Sequence, residues 1–259
     1  MCFNQPISGV ISILGLLTCV YLFVFHRKKP GIWRLIVPTF YFTAMEILQF
    51  FQYFWIDQCE NPINIGLTIV GWLHICFQPV VSNIMTTFTK PKRDKYIFKR
   101  YLIPLAFTGA IAGVSRLFFY NFQPCDAIND PLCGTDTCTR AGSVHLKWTL
   151  RLRGANYFTP SIFIHAFTMF VHPILFGQYV PFFIMILTGP FLAWYIGRDK
   201  DQWAAIWCYV SIFQVIGGIY MNLREYKDFI QKQKAETKKD LPKKAKETTK
   251  RKRAIKKQK

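Results

Sequence analysis

Over roughly the first 223 residues, apolar stretches alternate with short polar connections, and each stretch is long enough to form a helix that crosses about 30 Å of hydrocarbon. Seven stretches stand out, at 7–25, 33–56, 65–88, 101–120, 160–176, 180–196 and 203–223. They predict an all-α, polytopic transmembrane bundle of about seven helices occupying residues 1–226. The connection between the fourth and fifth stretches, 121–159, is longer and polar. Within it Val144, Leu146, Trp148, Leu150 and Leu152 alternate with His145, Lys147, Thr149, Arg151 and Arg153, the period of two expected of a half-buried strand. Two readings fit this alternation: a β-hairpin over the mouth of the bundle, or an interfacial segment resting on lipid head groups.

Composition agrees with a membrane domain, since hydrophobic residues make up 51% of the chain and aromatics 17%, unlike an ordinary soluble protein. Charge adds a second region. From Lys227 to Lys259 there are 15 basic and 4 acidic residues and almost no apolar ones, so about +11 of the net +19 sits there. Such a segment buries too little surface to offset its ordering entropy, which predicts a disordered, Lys-rich tail. Next to a membrane domain its expected partner is anionic lipid head groups, at about 1 kcal/mol per basic residue. A nucleic-acid partner is not expected.

Basic residues also orient the chain, because cytoplasmic loops carry the excess of Lys and Arg. The first connection (Arg27, Lys28, Lys29), the third (Lys90, Lys92, Arg93, Lys95, Lys99, Arg100) and the tail are basic, whereas the second, 57–61, is acidic. With seven spans these assignments agree: the N-terminus and the 121–159 connection lie outside the cytosol and the tail inside. The first stretch has its positive charges after the apolar core, the pattern of a retained anchor and not of a cleaved signal. The chain ends Lys256-Lys257-Gln258-Lys259, a dilysine pattern of the kind read as an endoplasmic reticulum retrieval signal on a cytosolic tail. The expected location is therefore the endoplasmic reticulum or another internal membrane.

Cys59, Cys125, Cys133 and Cys138 all fall in connections assigned to the outside, where thiols are oxidised. Four cysteines allow two disulfides in three pairings; a zinc site is the competing reading, though no paired CxxC is present. Cys19, Cys76 and Cys208 lie within spans and read as buried apolar side chains.

Ionisable groups inside a membrane are costly and so are candidates for function. Glu46 stands near the middle of the second span with Gln49 and Gln52 along the same run, His74 and Gln78 share a stripe on the third, His165 and His172 lie on the fifth, and Gln214 lies on the seventh. Glu46, His74, His165 and His172 could together bind a zinc-like ion, activate water in a hydrolase or relay protons. Gln49, Gln78 and Gln214 would line a ligand site. The alternative is that all these groups hydrogen-bond between helices. Arg116, at the outer end of the fourth span, is expected to snorkel to the interface. Cys2 would become an N-terminal nucleophile if Met1 were removed, or it is an ordinary interfacial cysteine.

Known seven-helix classes fit poorly. No lysine in 203–223 could carry retinal, the third span lacks the acidic-Arg-aromatic motif of G-protein-coupled receptors, and no HxxxH pair stands in the last span as in seven-helix zinc hydrolases. The chain resembles instead an uncharacterised family of multi-pass membrane proteins opening with Met-Cys-Phe, through Met1-Cys2-Phe3, the Glu46–Gln52 run, His74-Ile-Cys-Phe-Gln78-Pro79 and Ala205-Ile-Trp207-Cys208. That resemblance implies a fold and no activity. Three functions remain open: a binding, receptor-like or transport protein with a polar intramembrane site; an intramembrane hydrolase, with zinc as its candidate cofactor; and a scaffold acting through its tail.

Overall fold

The structure is a computed structural model, and it describes residues 5–88, 96–118, 125, 132–153, 164–171, 174, 179–197, 202–224, 226, 227 and 231. Cys2, His172, the dilysine signal and nearly all of the tail lie outside the described residues. The chain divides into two compact units, Met1–Gly218 and Ile219–Lys259, and the architecture below is that of the first.

The fold is mostly helical. Helix α1 (Gln5–His26) is followed by α2 (Trp33–Gln52), which runs into a 3₁₀ turn at Tyr53–Trp55. Helix α3 (Pro62–Thr86) starts sharply because the Asn61 side chain accepts from the Ile63 amide at 3.0 Å and Pro62 fills the first turn, where a missing N–H costs nothing. A π-helical turn at Phe98–Leu102 leads into α4 (Ile103–Ser115). After the hairpin come a π-turn at Phe167–Val171, α5 (Tyr179–Ile186), a π-turn at Leu187–Phe191, α6 (Leu192–Ile196) and α7 (Trp203–Arg224). The break between α5 and α6 falls on Gly189-Pro190: proline lacks the amide for the ladder and its ring crowds the preceding turn.

The helices coincide with the apolar stretches. Three of them, Gln5–His26, Pro62–Thr86 and α7 (Trp203–Arg224), are long and apolar enough to cross a membrane, while Phe182–Ile196 is apolar but shorter. Helix α2 reaches twenty residues but dilutes its hydropathy with Arg34, Thr39, Thr43, Glu46, Gln49 and Gln52. Those groups, Arg34 apart, are buried, as are Asn64, Thr68, Gln78 and Asn83 of α3. Conversely, Val10, Leu17, Phe23 and Phe25 of α1 and Phe183, Phe191 and Trp194 of α5–α6 are about half exposed or more. Polar groups thus face inward and large apolar ones outward.

Strands β1 (Cys138–Ala141) and β2 (Leu146–Thr149) form an antiparallel hairpin, with Cys138 opposite Thr149 and Ala141 opposite Leu146. Leu146, Trp148, Leu150 and Leu152 are buried and share one hydrophobic cluster with Met45, Trp72, Cys76, Ala110 and Cys208 of the helices. The alternating segment is therefore a hairpin in the core, not a strip resting on head groups. The cysteines pair as Cys59–Cys138 and Cys125–Cys133, and the first bond ties β1 to the α2–α3 connection. Asn64 reinforces that tie: its Nδ2 donates to the carbonyls of Trp55 (2.7 Å) and Thr139 (2.9 Å), and its Oδ1 accepts from the Thr139 amide at 2.9 Å. Asp57, in the left-handed region at φ 64°, donates its amide to Thr139 O and accepts from Ala141 N at 3.0 Å, extending the pairing of β1.

Candidate functional site

The polar face of α2 begins with Thr39 and Thr43, whose hydroxyls bond back to the carbonyls of Leu35 and Thr39 within the helix. Below them Glu46 is fully buried, and neither carboxylate oxygen meets a donor among the described residues. Tyr53, Cys208 and Tyr209 lie within electrostatic reach of it.

One turn on, the face becomes the seat of the hairpin. Gln49 Nε2 donates to Ala205 O at 3.3 Å, which turns its Oε1 to His145 Nε2 at 2.9 Å. An amide oxygen only accepts, so His145 carries its proton on Nε2 and its Nδ1 accepts from the Tyr53 hydroxyl at 3.0 Å. Burial with neutral partners lowers the His145 pKa to about 4. Gln202 Oε1 caps the turn by accepting from the amides of Val144 (3.0 Å) and His145 (3.2 Å). Trp148 Nε1 donates to Gln52 Oε1 at 3.2 Å, and Gln52 Nε2 donates to Leu67 O at 3.1 Å. The run of amides in the second stretch thus receives side chains of the hairpin.

The other candidates are dispersed. His74 stacks on Tyr41, ring centroids 3.9 Å apart, while the Tyr41 hydroxyl donates to the His74 carbonyl; its own Nε2 is buried without a partner among the described residues. Gln78 Nε2 points to Cys208 Sγ at 3.4 Å, and Gln214 Nε2 donates to Thr188 Oγ1 (2.7 Å) and Met185 O (3.2 Å), so both tie helices together. Among the described residues no three His, Cys, Asp or Glu side chains converge as a metal site would require.

His165 stands elsewhere, in the wall of a cavity of about 320 Å³. Three indoles form much of this wall: Trp72 donates to Gly113 O at 3.2 Å, Trp203 donates to Gly197 O at 2.9 Å, and Trp207 stacks on Phe170 with centroids 5.4 Å apart. Gly109 and Gly113 bring α4 close to its neighbours, since a Cβ at either would run into Ile164 or Cys76, while Ala193 and Ala204 add only methyl groups to the wall. Arg116 closes one end. Contrary to the expected snorkelling, it is only 5% exposed. Its Nε donates to Arg153 O at 3.1 Å and its guanidinium lies 5.9 Å from the centre of the Trp72 ring. The segment after the hairpin holds it there, since Arg153 also donates its amide to the Arg116 carbonyl at 2.9 Å.

Two residues escaped sequence reasoning, His145 and Arg116 as a cavity residue. For Arg116 a signal was present in Gly109 and Gly113, which recur at spacing four and mark the helix face that packs closely on its neighbours.

A family model described as a family of unknown function, DUF5765, matches residues 6–228. The chain belongs to this family. The DUF5765 match takes in both strands and all the helices described above, except for Gln5 at the start of α1. The chain is also 28% identical over 175 residues to an uncharacterised protein, R287, of Acanthamoeba polyphaga mimivirus, covering 61% of this chain and 68% of that one. No solved structure matches.

Proposed function

We propose that this DUF5765 chain is a seven-span membrane protein, N-terminus outside the cytosol and tail inside, that binds a small hydrophobic or amphipathic molecule within its bundle. The observation that carries the binding role is the cavity of about 320 Å³, in the size range of ligand sites, walled by Trp72, Trp203 and Trp207 beneath the hairpin. Support for the membrane setting is the inverted surface, with amides and Glu46 inside and half-exposed Phe and Trp outside. A soluble protein avoids large apolar surface of this kind. On this reading the hairpin lies on the outer side, its disulfides form in an oxidising lumen, and the basic tail holds cytoplasmic lipid head groups.

The test uses the full chain in lipid nanodiscs and a solvatochromic apolar probe. Ala204→Phe projects a ring into the cavity and is expected to lower probe binding at least about tenfold, whereas Val10→Ala on the outer face of α1 leaves it unchanged. Equal binding by all three proteins would refute the assignment.

A further inference from the structure

Resting on that reading of the cavity, we infer that its ligand is a neutral single-chain lipid with a hydroxyl head, and that the head is recognised by the imidazole of His165. The polar atoms of the wall decide this. Trp72 and Trp203 spend their N–H groups on the carbonyls of Gly113 and Gly197, and Arg116 donates to Arg153 O. The His165 ring borders the same space and forms no hydrogen bond among the described residues. In a wall this apolar, a ligand that leaves the imidazole unpaired forfeits the hydrogen bonds that the ring makes in water. A neutral imidazole has one donating and one accepting nitrogen, and a hydroxyl meets either, since it can accept from the first or donate to the second.

Neighbouring helices hold His165 in place. Ile164 and the His165 backbone pack against Gly109 of α4, where a Cβ would run into Ile164. One turn on, Thr168 Oγ1 donates to the Ile164 carbonyl at 2.6 Å, and Asn83 Nδ2 of α3 donates to the Thr168 carbonyl at 3.0 Å. The ring is therefore presented on a fixed stretch of backbone. Further along the same segment Phe170 stacks on Trp207, and Ala166, Pro190 and Ala193 add apolar surface to the wall. At about 320 Å³ the cavity lies at the low end of the range for ligand sites, which suits one hydrocarbon chain and not two.

The indoles report occupancy, so the experiment is quenching of tryptophan fluorescence in the full chain in nanodiscs, corrected for partition into empty nanodiscs. The probes are 12-bromododecanol and 1-bromododecane, which share a chain and differ in the hydroxyl. The alcohol is expected to bind about tenfold or more tightly than the bromoalkane. His165→Phe should erase the difference by weakening the alcohol alone, His165→Gln, which keeps a donor and an acceptor, should retain part of it, and Ala204→Phe should abolish both. If the two probes bind wild type equally, or His165→Phe leaves the preference intact, while Ala204→Phe still removes both, the hydroxyl assignment falls and the cavity remains a binding site. If neither quenches, or Ala204→Phe changes nothing, the proposed function falls with it. Should His165→Phe not fold, His165→Leu takes its place, and equal binding of the two probes to wild type overturns the inference with no variant at all.

Discussion

His145 shows what burial does to a single side chain. Its ring is 2% exposed, satisfied by Gln49 and Tyr53 in the neutral form, and faces Tyr209 as well. A proton on Nδ1 would break the bond from Tyr53. With the folded pKa near 4 and the unfolded value near 6.5, the unfolded chain binds the extra proton between those limits. Stability is therefore fully present above pH 6.5 and falls as pH drops toward 4, by roughly 3 kcal/mol for this one group. Thermal unfolding of wild type and His145→Gln across that range checks the sign: the wild-type midpoint should drop more steeply, and parallel curves would show that His145 is not the group responsible. Glu46 makes the opposite case, a buried carboxyl with no donor among the described residues. A Met of similar volume removes two unsatisfied oxygens, so Glu46→Met should raise the unfolding midpoint by the equivalent of about 1–3 kcal/mol. A lowered midpoint would mean that the carboxyl is held by something bound.

Between elements, close approach and covalent ties decide the packing. Helix α1 lies against α2, with Gly9 against Phe50 and Gly15 against Thr43, and a Cβ at Gly15 would overlap the Thr43 hydroxyl. Gly15→Leu must push the helices apart and should cost about 1–3 kcal/mol, read as a lower midpoint, while Leu17→Ala on the exposed face changes it by less than about 0.5 kcal/mol. At this scale the sequence was informative about helices and strand. Apolar length located the helices within a few residues, and the alternation of Leu146, Trp148, Leu150 and Leu152 marked their burial. It could not show that His145 also points inward, because alternation presumes one wet face, whereas here Gln202 and Tyr53 close over the start of β2. Nor could it pair the cysteines, since Cys59 and Cys138 are 79 residues apart and meet only once the hairpin has docked. The cavity was equally hidden, being assembled from single small residues on separate helices. Glu46, His74 and His165, which spacing suggested as one site, do not come together as a metal-binding group among the described residues.

For the whole molecule the decisive property is sidedness. On the proposed topology the Cys59–Cys138 bond forms on a lumenal or extracellular hairpin, and a tail with a surplus of 11 positive charges lies in the cytosol. Both demands are met only if the chain crosses the bilayer an odd number of times after the hairpin. On the seven-span reading proposed above, the stretches at 160–176, 180–196 and 203–223 would be three crossings, with α5–α6 one of them despite its break at Gly189-Pro190, since Phe183, Phe191 and Trp194 face outward on both sides of it. A glycosylation acceptor placed beside Gly134 should therefore be modified in microsomes, and protease added outside them should trim the tail at Lys250 while leaving the glycan protected. Modification and trimming must occur on opposite faces. If the acceptor stays bare and the hairpin cysteines react with a membrane-impermeant thiol reagent from the same side as the protease, the number of crossings is even. The side assigned to the disulfides and the cytosolic tail would then both need reassignment.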